Sequence, residues 1–282
     1  MMKMAKDYTR EATERCEQVL VTLLGSLGPW RDRMFLAGGL APRYLVGELP
    51  AEVRPHMGTT DVDLVVGLSL DEVDAEGYKT LERNLRDADF RQDSQSYRWK
   101  RDVDGVTVMV DLLCETDKVD PGKIFRPREG LGSKLTALNV AGAQLAARDF
   151  IEVTVRAARL DDGDRSSVRV RVTNLLPYVL LKINAFQDRH ENKDAYDLIF
   201  CLRNYREYPE ETGRELAQSP VAGHPQVQAA LLLLEERFGE IIDDGPTSYA
   251  AFLGEDENEE VRRRYQLEAV AVVRGFLGGF RE

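Results

Sequence analysis

Two aspartates spaced two apart, Asp61 and Asp63, lie in the run Thr59-Thr-Asp-Val-Asp-Leu64, and a third, Asp111, lies in Met109-Val-Asp-Leu-Leu113. On an extended strand, side chains at i and i+2 leave the same face about 6–7 Å apart. Asp61 and Asp63 therefore project together, while Val62 and Leu64 turn to the core. Asp111, flanked by Val110 and Leu112, can stand beside them if its strand is a neighbour. Carboxylates gathered in a partly dry cleft raise one another's pKa unless cations neutralise them. Hard oxygen donors of this kind suit Mg²⁺ or Mn²⁺. Two such ions about 4 Å apart can activate a hydroxyl and stabilise a leaving pyrophosphate. Upstream, Phe35-Leu-Ala-Gly-Gly39 ends a strand in Gly38 and Gly39, whose backbone N–H groups can approach a triphosphate. A structural reading stays open beside the catalytic one. In it, Asp61 and Asp63 are a solvated strand end, and Asp111 pairs with Arg98 or Arg101. A carboxylate buried without any partner is too costly to keep.

The elements that must position these residues follow from periodicity. Apolar residues at three- and four-residue steps from Asp7 to Leu27 predict a helix ended by Gly28-Pro29. Met34 to Ala37 reads as a short buried strand, Ala41 to Val46 as a short helix, and Asp61 to Val66 as a strand. Leu70 to Ala88 reads as a helix opened by Asp71 and Glu72, which suit its positive end. Ser96 to Val103 and Val106 to Cys114 form a hairpin about Asp104-Gly105. Ile151 to Leu160 and Ser167 to Thr173 form another about Asp161-Asp-Gly-Asp164, a solvated turn that lacks the rest of a calcium loop. After Thr173 the pattern turns helical: Leu175 to Arg189, Lys193 to Asn204, Glu210 to Gln218, Pro225 to Phe238 and Glu257 to Phe280. The expected fold class is α+β: a mixed sheet with flanking helices over residues 1–174, and a helical domain over 175–282 that closes the nucleotide cleft.

Composition narrows the function classes. The 282 residues carry 49 acidic and 38 basic side chains, a net charge of -11, which argues against a protein that coats nucleic acid or an anionic membrane. Cys16, Cys114 and Cys201 form no CxxC pair and no disulfide framework, so they read as small buried residues in a reducing compartment. No secretion signal or membrane span is expected, and the cytoplasm is the default location.

The pattern Gly-Gly, then Thr-x-Asp-x-Asp-Leu, then an isolated strand aspartate resembles the DNA polymerase β-type nucleotidyltransferase superfamily. The later run from Leu181 to Leu198 carries a lysine, an arginine and a basic-Asp-x-x-Asp segment, and resembles the helical signature of the AbiEii/MenT-type nucleotidyltransferase toxins. The resemblance spans roughly Phe35 to Leu202. It implies that Gly38 and Gly39 form the phosphate-side turn and that Asp61, Asp63 and Asp111 ligate the metals, with Asp111 also the base. It further implies that Lys182 reaches the triphosphate and Asp194 completes the wall of the site. The implied substrate is an NTP, the implied acceptor RNA such as a tRNA 3′ end, and the implied partner a cognate antitoxin. Two departures are visible: Gly39 stands where the superfamily often has serine, and the loop His56-Met-Gly-Thr-Thr60 lacks an arginine common in relatives.

Without the family, Lys182 after Leu180-Leu181 reads as either phosphate-binding or snorkelling. Asp194 and Asp197 read as either a site wall or a solvated face shared with Lys193. His56, His190 and His224 show no ligand spacing. Basic residues recur at Lys123, Arg126, Arg128 and Lys134 and again at Arg262 to Arg264; the first group, with Phe125, could hold a nucleic-acid backbone, and bland solvated charge explains it at least as well. Rival functions are transfer to a small molecule of the aminoglycoside kind or to a protein, and a catalytically silent binding module.

Overall fold

The computed structural model describes residues 8–66, 75–126, 134–254 and 258–282. Asp71 and Glu72, expected to open a helix, and Arg128 lie outside the described residues. The chain forms two compact units: a sheet unit of Thr9–Ala41 and Gly58–Thr173, and a helical unit of Pro42–Met57 and Asn174–Glu282 with Tyr8.

The sheet unit opens with α1 (Arg10–Ser26), whose first turn is closed by Thr9: its hydroxyl accepts a hydrogen bond from Ala12 N–H. Such a cap contributes about 1 kcal/mol. The stripe Cys16, Val19, Leu20, Leu23 and Leu24 is wholly buried, at about 1.5–3 kcal/mol per large apolar side chain. Packing of the stripe, not the cap, holds the helix. Among the described residues the sheet has nine strands: β1 (Met34–Ala37), β2 (Asp61–Val66), β3 (Arg91–Gln92), β4 (Arg98–Val103), β5 (Val106–Cys114), β6 (Ile124–Phe125), β7 (Ala137–Asn139), β8 (Phe150–Ala158) and β9 (Arg165–Thr173). The main order is β3-β4-β5-β2-β1-β9-β8, with β7 pairing both β5 and β6. It is a mixed sheet: β2 runs parallel to β5 and antiparallel to β1, which in turn runs parallel to β9.

The register sorts side chains onto two faces. Leu36, Leu64, Leu112 and Val172 are paired across four strands and share one buried face with Trp99 and Val110. α1 covers that face, since a Cβ on Gly25 would lie 4.0 Å from the side chain of Val168. The other face carries Phe35 and Val65, and next to them the aspartates. The expected α+β class and both hairpins are observed, and the 161–164 turn is exposed. Helix α3 is described over Ala75–Asp87.

The helical unit contains α2 (Pro42–Leu45), α4 (Leu175–Arg189), α5 (Asn192–Asn204), α6 (Pro209–Leu216), α7 (Pro225–Phe238), α8 (Asp244–Leu253) and α9 (Glu259–Arg281). Asn174 caps α4 through its side chain, and His190 ends it with a left-handed φ of 49°. α6 and α9 touch backbone to backbone. A Cβ on Gly213 would overlap the Phe276 carbonyl, and one on Gly279 would overlap that of Glu210, so only glycine allows this approach. Helix α8 escapes sequence reading because its first turn, Asp244-Gly-Pro-Thr, is made of turn residues; Pro246 is tolerated there because first-turn N–H groups need no intrahelical acceptor. No helix among the described residues is long and apolar enough to cross a membrane.

Candidate active site

The three aspartates stand on one face of neighbouring strands. Asp63 on β2 is in register with Asp111 on β5, and Asp61 lies two residues before Asp63 on the same side. Asp61 and Asp63 are half-buried, whereas Asp111 is buried. The strand order places β5 between β4 and β2, so Asp111 has Asp63 in register on one side and Arg98 on the other.

Each carboxylate is positioned by a different device. The buried hydroxyl of Thr59 donates to Asp61 Oδ1. Thr59 is itself fixed by its N–H, which donates to Thr13 Oγ1 on α1 at 3.1 Å. The Asp63 side chain lies directly over Gly38, where any Cβ would coincide with its carboxylate. Gly38 also holds φ at +64°, a conformation that L side chains adopt at a cost. The Gly38–Leu40 turn that follows β1 thus exists in this form only because residue 38 lacks a side chain.

Asp111 accepts both forks of the Arg98 guanidinium, Nε to Oδ1 at 2.7 Å and Nη2 to Oδ2 at 2.6 Å. This hydrogen bonding, opposed by burial, raises the Arg98 pKa. Arg101, the other arginine considered for Asp111, points to the opposite face and donates to the Ala88 carbonyl. Among the described residues no three His, Cys, Asp or Glu side chains come together within reach of one cation. In donor chemistry Asp61 and Asp63 fit a hard divalent ion. Asp111 brings the same donor chemistry, with each of its oxygens held by Arg98.

Cys16 lies close below this edge, its thiol 3.7 Å from the Thr59 carbonyl. Burial first, then the negative charges of Asp61 and Asp63, push that thiol far above its ordinary range. Burial raises Cys114 to about 12. Neither is a nucleophile at neutral pH.

Lys182 and Asp194 belong to the helical unit and are brought together there. Lys182 Nζ donates to Asp194 Oδ1 at 3.0 Å and to Asp197 Oδ2 at 2.7 Å, with only 6% of the residue exposed. Arg189 grips Asp194 at 2.7 and 2.8 Å. Lys193 and His56 Nε2 both reach Asp197 Oδ1 at 2.8 Å. Burial alone would lower the Lys182 pKa, but Asp197 and Asp194 reverse this and hold it above the ordinary range. Burial likewise works against the charged form of Asp197, and Lys182 and Lys193 overcome it, leaving its pKa well below the usual carboxylate value. His56 is desolvated more than Asp197 compensates, so its pKa falls.

Of the two readings open for Asp197 and Lys193, a site wall or a solvated face, the solvated face does not hold: both are buried. His56 as their partner is not legible in the sequence, because 141 residues separate it from Asp197 and no local pattern links them. The basic residues Lys123 and Lys134 are exposed, as is Arg126.

A protein-family model described as "Nucleotidyltransferase" matches residues 17–201, which include the Gly-Gly turn, all three aspartates and the Lys182 cluster. No curated protein matches the chain.

Proposed function

Because the chain belongs to this nucleotidyltransferase family, and is thereby a transferase, we propose that it moves a nucleoside monophosphate from an NTP to a hydroxyl on RNA, at a tRNA 3′ end. The observation that carries the proposal is the register of Asp63 with Asp111 beside Asp61, on one face of a sheet within the matched segment.

In this reading Asp61, Asp63 and Asp111 would hold Mg²⁺ or Mn²⁺, and such an ion would supply positive charge against the transferring phosphate and the leaving pyrophosphate. Asp111 takes the proton of the acceptor hydroxyl. That oxygen forms its bond to the α-phosphorus as the bond to pyrophosphate breaks, so one NMP ester and one pyrophosphate result. Gly38 and Gly39 present backbone N–H groups to the phosphates. Lys182, which donates to Asp194 and Asp197, is assigned to the triphosphate, with Asp194 orienting it.

A polyanionic acceptor is supported by charge on the sheet itself. Pairing of Phe35 with both Val65 and Arg171 puts the arginines of β9 on the aspartate side. Arg156, Arg165 and Arg169 are exposed there, and Glu152 offsets part of that charge through Arg169 and Arg171. Such a group contrasts with the overall net charge of -11. The biological role that fits is a toxin of a toxin–antitoxin or phage-defence system, held in check by a cognate antitoxin.

Incubation with each labelled NTP, Mg²⁺ and total RNA tests the proposal. Label in RNA supports it. Label on a small molecule or on protein replaces the acceptor, and no label transfer with any NTP overturns the proposal.

A further inference from the structure

Arg98 occupies an unusual place for a structural counter-ion. It sits on the aspartate face, its side chain 29% exposed, while the Asp111 side chain that it grips is 8% exposed. Each Asp111 oxygen accepts one of the two hydrogen bonds of the pair. The other basic residues of β4 are committed elsewhere: Lys100 to Asp93, and Arg101 to the opposite face. Arg98 thus places a positive charge against Asp111 on the face that also carries Asp61 and Asp63.

A divalent cation at the same carboxylates would do that work better, and would repel a guanidinium a few ångströms away. The planar fork that fits a carboxylate also fits a phosphate in the same two-bonded manner. A nucleotide brings such phosphates to the aspartate face.

We infer that Arg98 is a phosphate-binding residue held in reserve: paired with Asp111 before the nucleotide arrives, it turns to a nucleotide phosphate and releases Asp111 to the cation. This rests on the reading of Asp61, Asp63 and Asp111 as the cation-binding carboxylates. It adds that the free protein competes with its own metal, and that cation and nucleotide bind best together.

The test measures two affinities on the full chain by calorimetry: Mn²⁺ alone, and a non-hydrolysable NTP analogue with Mn²⁺. Arg98→Gln removes the competitor, so Mn²⁺ alone binds about tenfold tighter, while the analogue binds at least about tenfold weaker. A merely structural arginine would not move the two constants in opposite directions. Arg98→Lys, which keeps the charge without the fork, shifts both in the same senses by less and serves if the glutamine variant does not fold. Wild-type affinities for both ligands in a folded Arg98 variant overturn the inference. Asp63→Asn binding Mn²⁺ as tightly as wild type would instead remove the metal-site reading, and this inference with it.

Discussion

Gly38 lies so close beneath Asp63 that no side chain can be placed on it without entering the carboxylate. The left-handed φ of +64° at Gly38 makes the requirement double. One glycine therefore sets both the turn after β1 and the direction in which the middle aspartate points.

Gly38→Ala is expected to displace Asp63 and lower the transfer rate about 100-fold, the loss that follows a misplacement of about 1 Å in a reacting group. Initial rates at saturating NTP check it, with circular dichroism to show that the sheet is intact. A folded variant with the wild-type rate contradicts the close contact.

The buried cluster around Lys182 predicts a stability effect distinct from any role in binding. Asp197→Asn leaves Lys182 and Lys193 short of a charged acceptor. It is expected to cost about 3–5 kcal/mol, as for other buried pairs broken at one side. Urea unfolding measures it. A loss below about 1 kcal/mol, the range of surface pairs, would mean that the cluster is solvated.

Acid should weaken the helical unit in two stages. His56 has a folded pKa below the ordinary 6.5, so the unfolded chain takes up its proton first, and stability falls as pH drops below that value. Asp197 has a folded pKa below 3.8, so its contribution is complete above that pH and is lost as pH falls through the lower folded value. Urea midpoints at pH 7.5 and 5.5 should differ more in wild type than in His56→Gln. Equal pH dependence in the two proteins counts against a buried neutral His56.

The α6–α9 crossing admits no extra carbon at Gly213. Gly213→Ala should cost about 1–3 kcal/mol by overpacking, read as a lowered thermal midpoint. An unchanged midpoint would show that the helices stand further apart.

What could be read from the sequence, and what could not, divides by range. The i, i+2 spacing puts Asp61 and Asp63 on one face of any strand, and the Asp104-Gly105 turn places Asp111 in a hairpin; both features are local. The helices from Leu175 onward announce themselves by period, and Asn174 and Asn258 cap theirs within a few residues. The parallel pairing of β2 with β5 is not local, so the register of Asp63 with Asp111 could be expected only conditionally. Arg98 was visible as a potential partner of Asp111, but the choice between it and Arg101 depends on strand parity across the turn. β3, β6 and β7 are two or three residues long, too short to show any period. The union of His56 with Asp197 required the fold itself.

The proposed transfer depends most on the carboxylates of Asp61, Asp63 and Asp111 acting together on an NTP. Pyrophosphate release from NTP and RNA, with Mg²⁺ and with the metal chelated, measures this directly in wild type and in folded Asp63→Asn. The expected result is release by wild type that stops with the chelator and falls at least about 100-fold in the variant. Release by Asp63→Asn at the wild-type rate, or by wild type without any divalent ion, would contradict it.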